Sequence, residues 1–360
     1  MRKVLTAVVL VSGVTLIGIG CGGGEENEQH VKQTLQEVAQ SQNQWTGVAV
    51  SKDGRTFVNF PRWSKDVPIS VGEILETGEV VPYPDEEWNQ WDAAAPAEYR
   101  FVCVQSVYVD NEDFLWILDP ANPWFSGVVE GGAKLLRVDL SKNEIARVYL
   151  FPDSIAPNAS YLNDVRVDTK RRFAYITDSG LGALVILDLD SGESWRVLAN
   201  DSTTKAQDIV LSIDGTPWLG PDKSKPQVHV DGIALDHDGT HIYYHALTAP
   251  NLYRIETQWL RTVGFSDEDL AKKVEFVAET GGCDGMIFGK DGSLYLSAIE
   301  QNAVQRFTTN RKLEVVVKDS LLDWPDSFSN APDGFLYVTA SQINIPPDKR
   351  GPYRLFKFRP

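Results

Sequence analysis

Thr46, Gln105, Asn163, Asp231, Asp284 and Asp326 each lead into a short β-rich run, at successive intervals of 42 to 68 residues. All six side chains carry oxygen. Brought to one place, the three aspartates could not all stay ionised without a cation or a shared proton. Hard oxygen donors of this kind suit a divalent cation, Ca²⁺ foremost because its coordination shell is flexible. On this reading Asp284, Asp231 and Asn163 are the expected metal ligands. Gln105, Asn163 and Asp326 are expected to meet the substrate, with Asp284 as the catalytic carboxylate. The alternative is local, since Asx residues ahead of a strand also cap turns and satisfy backbone N–H groups.

Four histidines gather near Asp231. His237 and His241 flank the Asp238-Gly239 turn and are expected to face solvent, whereas His229, two residues before Asp231, is a second catalytic candidate. Cys103 and Cys283 precede Gln105 and Asp284 at similar distances, so they either pair or lie as buried thiols in separate strands. No G-x-S-x-G elbow, H-E-x-x-H pair or Walker sequence occurs, which removes support for those hydrolase and nucleotide classes. No organic cofactor is expected.

The elements that must position these residues form a repeat. VAVSKDGRTFVNF (48–60), VYVDNEDFLWILD (107–119) and VRVDTKRRFAYITD (165–178) each read as strand, polar turn, strand. IALDHDGTHIYYHAL (233–247), MIFGKDGSLYLSAI (286–299) and FSNAPDGFLYVTA (328–340) do the same, and four of the six turns contain Asp-Gly. A propeller blade takes roughly 40–50 residues, so six copies with some long loops predict an all-β, six-bladed β-propeller. KLLRVDL (134–140), GALVILDL (182–189) and AVQRFTT (303–309) supply further strands. Ser266 to Leu270 predicts a short capped helix in an inter-blade loop, and Ser64 to Tyr99 reads as a decorated loop. Long amphipathic helices are missing, which excludes a Rossmann sheet. The innermost strand of each blade lines the central channel, so the six leading residues should meet at one of its mouths.

Over 360 residues the chain carries 34 Lys+Arg against 50 Asp+Glu, a formal charge of −16. Such a surface repels phosphate backbones, and nucleic acid is not an expected partner. Three cysteines cannot supply a disulfide framework. Arg2 and Lys3 precede an apolar run, Val4 to Ile19, that is shorter than the roughly 20 residues of a spanning helix. With Gly20-Cys21 after it, the segment fits a lipoprotein-type signal peptide over 1–20, with Cys21 as the lipidated residue. Residues 21–44 then read as a polar tether, with one weak amphipathic helix suggested by Val31, Leu35 and Val38, and 45–360 as one propeller domain. The expectation is an exported monomer held to a bacterial membrane by lipid alone, with a small-molecule substrate or ligand.

GVAVSKDGRTFVNFPRW (47–63), VPYPDEEW (81–88), LWILDP (115–120), YLNDVRVD (161–168) and AYITDSGLGALVILDL (174–189) resemble the yellow/major royal jelly protein family. WPDSFSNAPDGFLYVTA (324–340) continues the match, which runs from about residue 45 to the end. The resemblance implies a six-bladed propeller whose relatives include dopachrome-converting and amine-binding proteins. It adds Ser327 and Ser341 to the expected substrate contacts, because amine-binding members place polar contacts in the last blade. DGIALDHDGTHIYY (231–244) and CDGMIFGKDGSLYLS (283–297) are more distantly similar to regucalcin/gluconolactonase propellers. That likeness implies a cation at Asp284 and Asp231 and a substrate contact at Asn163. The family's first-blade Glu is replaced by Thr46 or Gly47, and the Arg before its Asn-Asp pair by Tyr161. Three functions follow: a metal-assisted hydrolase of lactone-like molecules, a dopachrome-type tautomerase, or a non-catalytic binder of small aromatic or amine ligands.

Overall fold

The computed structural model describes residues 34–360. The signal peptide, Cys21 and most of the expected tether lie outside the described residues. Six four-stranded antiparallel sheets and one small hairpin make up the strands, so the fold is the six-bladed β-propeller read from the repeat. The described α-helices are Glu86–Asn89, Thr257–Arg261 and Asp267–Ala271. The last is the expected capped helix, with Ser266 Oγ accepting from the Asp269 N–H at 3.2 Å.

All six sequence hairpins form the inner pair of a blade. The innermost strands are Val48–Val50, Ser106–Val109, Leu162–Asp168, Val230–Leu235, Met286–Phe288 and Pro325–Asn330. The glycines of the four Asp-Gly turns, Gly54, Gly239, Gly292 and Gly334, take φ of 72° to 89°, which a Cβ would strain. One aromatic ring stands at the same register in every blade. Phe57, Trp116, Tyr175, Tyr243, Tyr295 and Tyr337 lie across from Ala49, Tyr108, Arg166, Ala234, Ile287 and Ser329. These rings fill the wedges between adjacent blades with large apolar area.

Two expectations are corrected. Gln36–Ser41, assigned to the tether, is the outermost strand of the last blade, pairing Gln36 with Lys357 and Ser41 with Tyr353. It closes the ring. Its polar composition resembles a linker because an outer edge strand buries little, and only Ala39 within it is buried. Ser64–Tyr99 is more than a loop, since Val71–Ile74 and Val80–Pro82 complete the first blade.

Near the axis the inner strands approach closely. A Cβ on Gly232 would sit 2.3 Å from the Asp284 carbonyl oxygen, and one on Gly285 would sit 2.1 Å from that of Asp326. Glycine follows Asp231 and Asp284 because no other residue fits. The blades are also stitched by hydroxyls: Thr46 Oγ1 donates to Gln105 O at 3.1 Å and Thr177 Oγ1 to Asp231 O at 2.6 Å.

Candidate functional site

The residues leading into the inner strands converge at one mouth of the channel. Register shifts fall between Leu162 and Val165, Val230 and Gly232, and Pro325 and Phe328. The bulged residues are Asn163-Asp164, Asp231 and Asp326-Ser327, and a bulge of this kind re-aims a side chain out of the pleat. Asp284 lies just before its strand, its N–H held at 2.8 Å by Ser297 Oγ.

Asp231 and Asp284 face one another at the mouth, each carboxyl acting on the other's protonation. Burial, followed by the neighbouring Asp284, holds Asp231 well above the usual carboxylate range. Burial also raises Asp284, which the Trp324 indole and Asp231 restrain to about 6. Asn163 Nδ2 donates to Asp231 Oδ2 at 2.5 Å and to Ser179 Oγ at 3.0 Å. Trp324 Nε1 donates to Asp284 Oδ2 at 2.6 Å. Asp326, 3 % exposed, is raised well above the usual range by burial and by Asp284, and its Oδ2 has no hydrogen-bond partner. Two raised carboxyls therefore lie beside a third that keeps an acceptor to spare.

The other expected contacts take their places around this group. Gln105 Oε1 accepts from Tyr161 Oη at 2.9 Å, and Tyr161 Oη in turn accepts from Trp63 Nε1 at 2.7 Å. Ser327 Oγ donates to Asp326 Oδ1 at 3.2 Å, and buried Ser341 also meets Asp326. His229 has Ala206, Lys205 and Asp178 as its ring's neighbours. Its Nδ1 accepts from the Ala206 N–H at 2.9 Å, and burial with nearby Lys205 lowers its pKa. Cys103 and Cys283 are free, buried thiols, which resolves the two sequence alternatives. His245, fully buried, is lowered to about 4 by burial and accepts the Thr280 hydroxyl at Nε2.

Three contributors were missed. Asp164 faces the same axial group, accepting from Ser106 Oγ at 2.8 Å and lying 3.6 Å from Arg166 Nη2. Its adjacency to Asn163 inside a bulge was the available signal. Trp324 had one as well, standing two residues before Asp326. Phe125 packs on Tyr161 at 5.1 Å and on Trp63 at 5.6 Å while remaining 63 % exposed. Both Trp124 and Phe125 hold positive φ, 56° and 55°, a strained backbone that presents two aromatic rings beside the mouth.

The arrangement does not fit the expected cation. Asn163 turns its amide N–H, not its oxygen, toward Asp231, and Asp284 Oδ2 accepts an indole N–H. Thr46 Oγ1 is occupied with Gln105 O and Asn59 Nδ2. Among the described residues, no three His, Cys, Asp or Glu side chains converge as metal ligands.

Known proteins can now be set beside this geometry. Residues 102–354 match the family model described as major royal jelly protein. Major royal jelly protein 1 of Apis mellifera is 22% identical over 249 residues, covering 65% of this chain and 54% of that protein. A dopaminechrome tautomerase of Drosophila melanogaster is 26% identical over 168 residues, covering 40% and 34%. The chain spans about half the length of the first curated relatives it matches. A solved gluconolactonase from Xanthomonas campestris superposes with a TM-score of 0.56 at 14% identity, over 92% of this chain and 90% of the other, a likeness of fold. With the family pattern extending from the second blade to the start of Tyr353–Phe358 in the sixth, this chain belongs to the major royal jelly protein family.

Proposed function

We propose that the axial mouth transfers protons on small quinonoid aromatic molecules, making this protein a tautomerase-type isomerase. The Asp231–Asp284 pair carries the reading. Two carboxyls in contact, both raised, hold one proton between them near neutral pH. Asp284, at about 6, is the base and Asp231 the acid. The Asp284 carboxylate takes a proton from a ring carbon while Asp231 gives its own to the ring carbonyl oxygen. The proton then passes from Asp284 to the facing Asp231. Substrate composition is unchanged and the pair is reset.

The surrounding residues support this use. Asn163 fixes the Asp231 carboxyl through its amide. Asp326 Oδ2 is a ready acceptor for a substrate N–H or O–H. Phe125 and Trp124 offer exposed ring faces for stacking an aromatic substrate. The relative described as a dopaminechrome tautomerase lends the substrate class. Metal-assisted lactone hydrolysis has less behind it, because the donor set at the mouth does not suit the cation.

Decay of an aminochrome, followed by absorbance in chelator, tests the proposal. The wild-type protein should accelerate it, and Asp284→Asn should remove about 10²-fold or more of that rate. Lactone turnover that requires added Ca²⁺, with no effect on aminochromes, would replace this reading with the hydrolase. Saturable amine binding without turnover would leave a binding protein. The N-terminal sequence separately supports export with lipidation at Cys21, for which loss of fatty-acid labelling in Cys21→Ser is the test.

A further inference from the structure

Beside the acidic mouth, a small hairpin, Ser212–Ile213 with Thr216–Pro217, is inserted between the third and fourth blades. Its underside packs Leu211 and Ile213 with Ile299 and Trp324, and Trp218 meets Trp324 edge-on at 4.8 Å. Glu300 ties it to the fifth blade, accepting from the Ser212 N–H at 3.0 Å. Between this hairpin and the fifth and sixth blades lies a cavity of about 320 Å³.

Four carboxyl or amide side chains from four separate segments line it: Asp214, Asn302, Asp323 and Asn344. Asn302 Oδ1, Asp323 Oδ1 and Asn344 Oδ1 are buried and have no hydrogen-bond partner. Asn302 is 8 % exposed, and its side chain makes no hydrogen bond to the protein. A buried acceptor left unpaired is costly, so three in one cavity call for a donor or a cation. The cavity is lined by no sulfur or imidazole ligand and by no Lys or Arg.

We propose that Asp214, Asn302, Asp323 and Asn344 form a lateral divalent-cation site of the Ca²⁺ class, distinct from the axial carboxyl pair. Carboxylates mixed with amide oxygens on separate loops suit Ca²⁺, which accepts irregular shells, better than Mg²⁺, which demands near-octahedral geometry. The absence of thiolate and imidazole from the lining argues against Zn²⁺. The volume leaves room for a cation that keeps part of its water. Bound there, the ion joins the hairpin to the fifth and sixth blades and holds Trp218 against Trp324, the residue whose indole restrains Asp284.

Terbium luminescence tests the site, because Tb³⁺ replaces Ca²⁺ and Trp218 lies in the lining as a sensitiser. Protein stripped with chelator should give indole-sensitised Tb³⁺ emission that CaCl₂ displaces, and its Tm should rise with CaCl₂. Asp323→Asn should weaken Ca²⁺ by about tenfold or more, through loss of a charged ligand. Asp214→Asn provides a second variant on an exposed turn, at a positive φ that Asn tolerates, and should weaken it less. Asp284→Asn should leave Ca²⁺ binding unchanged. No sensitised emission and no Tm shift would overturn the site. So would binding that survives both lateral variants and disappears in Asp284→Asn, which would return the cation to the axis.

Discussion

The two mouths of the channel are both ringed by charge, yet they use it differently. At the mouth opposite the carboxyl pair, a cavity of about 600 Å³ is bordered by Lys52, Lys170, Lys290, Asp110, Asp168 and Asp236. Nearly all of that charge is committed to holding the ring together. Lys52 Nζ reaches Asn111 O at 2.8 Å, Arg171 Nη1 reaches Asp238 O at 2.9 Å and Lys290 Nζ reaches Ala331 O at 2.9 Å. His237 Nε2 meets Gly289 O at 2.9 Å, so four of the turns reach the backbone of the next blade. The aspartates there cap their own turns: Asp110 accepts from the Glu112 and Phe114 N–H groups and from Trp116 Nε1. At the acidic mouth Asp326 Oδ2 is unpaired, and Asp231 is held well above the usual carboxylate range by burial and by Asp284. Arg166, 6 % exposed, stands between the two ends, 3.6 Å from Asp164 and donating to Met286 O at 2.8 Å. That cavity is thus bordered by charge spent on structure, whereas hydrogen-bonding capacity is left over at the acidic mouth, where the proposed chemistry is placed.

Asp284→Asn should break the contrast most completely. Turnover of an aminochrome should fall about 10²–10⁴-fold. Its Tm at pH 7 should hold or rise, because a repelling buried carboxyl is gone; a cooperative unfolding loss would instead make Asp284 a structural residue. Asp110→Ala at the opposite mouth should do the reverse, costing about 1–3 kcal/mol by stranding a buried indole N–H and leaving turnover intact. Denaturant midpoints together with rates would separate the two.

Acidity provides the next comparison. Asp284 is raised from 3.8 to about 6, so between these values the folded state binds more protons than the unfolded one. Its contribution to stability is full below the lower value and is lost as pH rises through the upper one. Thermal unfolding across this window should show a decline in Tm with pH that flattens in Asp284→Asn. Over the same window turnover should rise, as the base form of Asp284 appears. A smaller effect is expected from Lys290→Ala, whose tie is exposed. It should shift stability by no more than about 0.5 kcal/mol and leave turnover alone, measured by the same two assays.

Much of this was legible in the chain. The six hairpins are local, because two adjacent runs and a turn encode both partners within about fifteen residues. The common point of Asn163, Asp231, Asp284 and Asp326 followed once the repeat was seen, since equivalent positions in a radial fold share one mouth. The closing strand was not legible. Glu37 meets Arg354 at 3.1 Å across almost the whole chain, and a polar edge strand looks like a linker until its partner is known. Nor were Asp164 and Trp324, whose roles depend on a bulge and on a contact 40 residues away.

By itself the sequence determined the repeat, the propeller and the family, because these rest on local pattern and turn chemistry repeated six times. Only the tertiary structure decided what the aspartates do. Whether a carboxyl binds a cation, caps a turn or shares a proton depends on which donors surround it and how much water is excluded, and those neighbours come from other blades. Asp110 and Asp284 are the same residue type in equivalent repeats, and burial beside different partners makes one a clamp and leaves the other a raised carboxyl, the base of the proposed reaction.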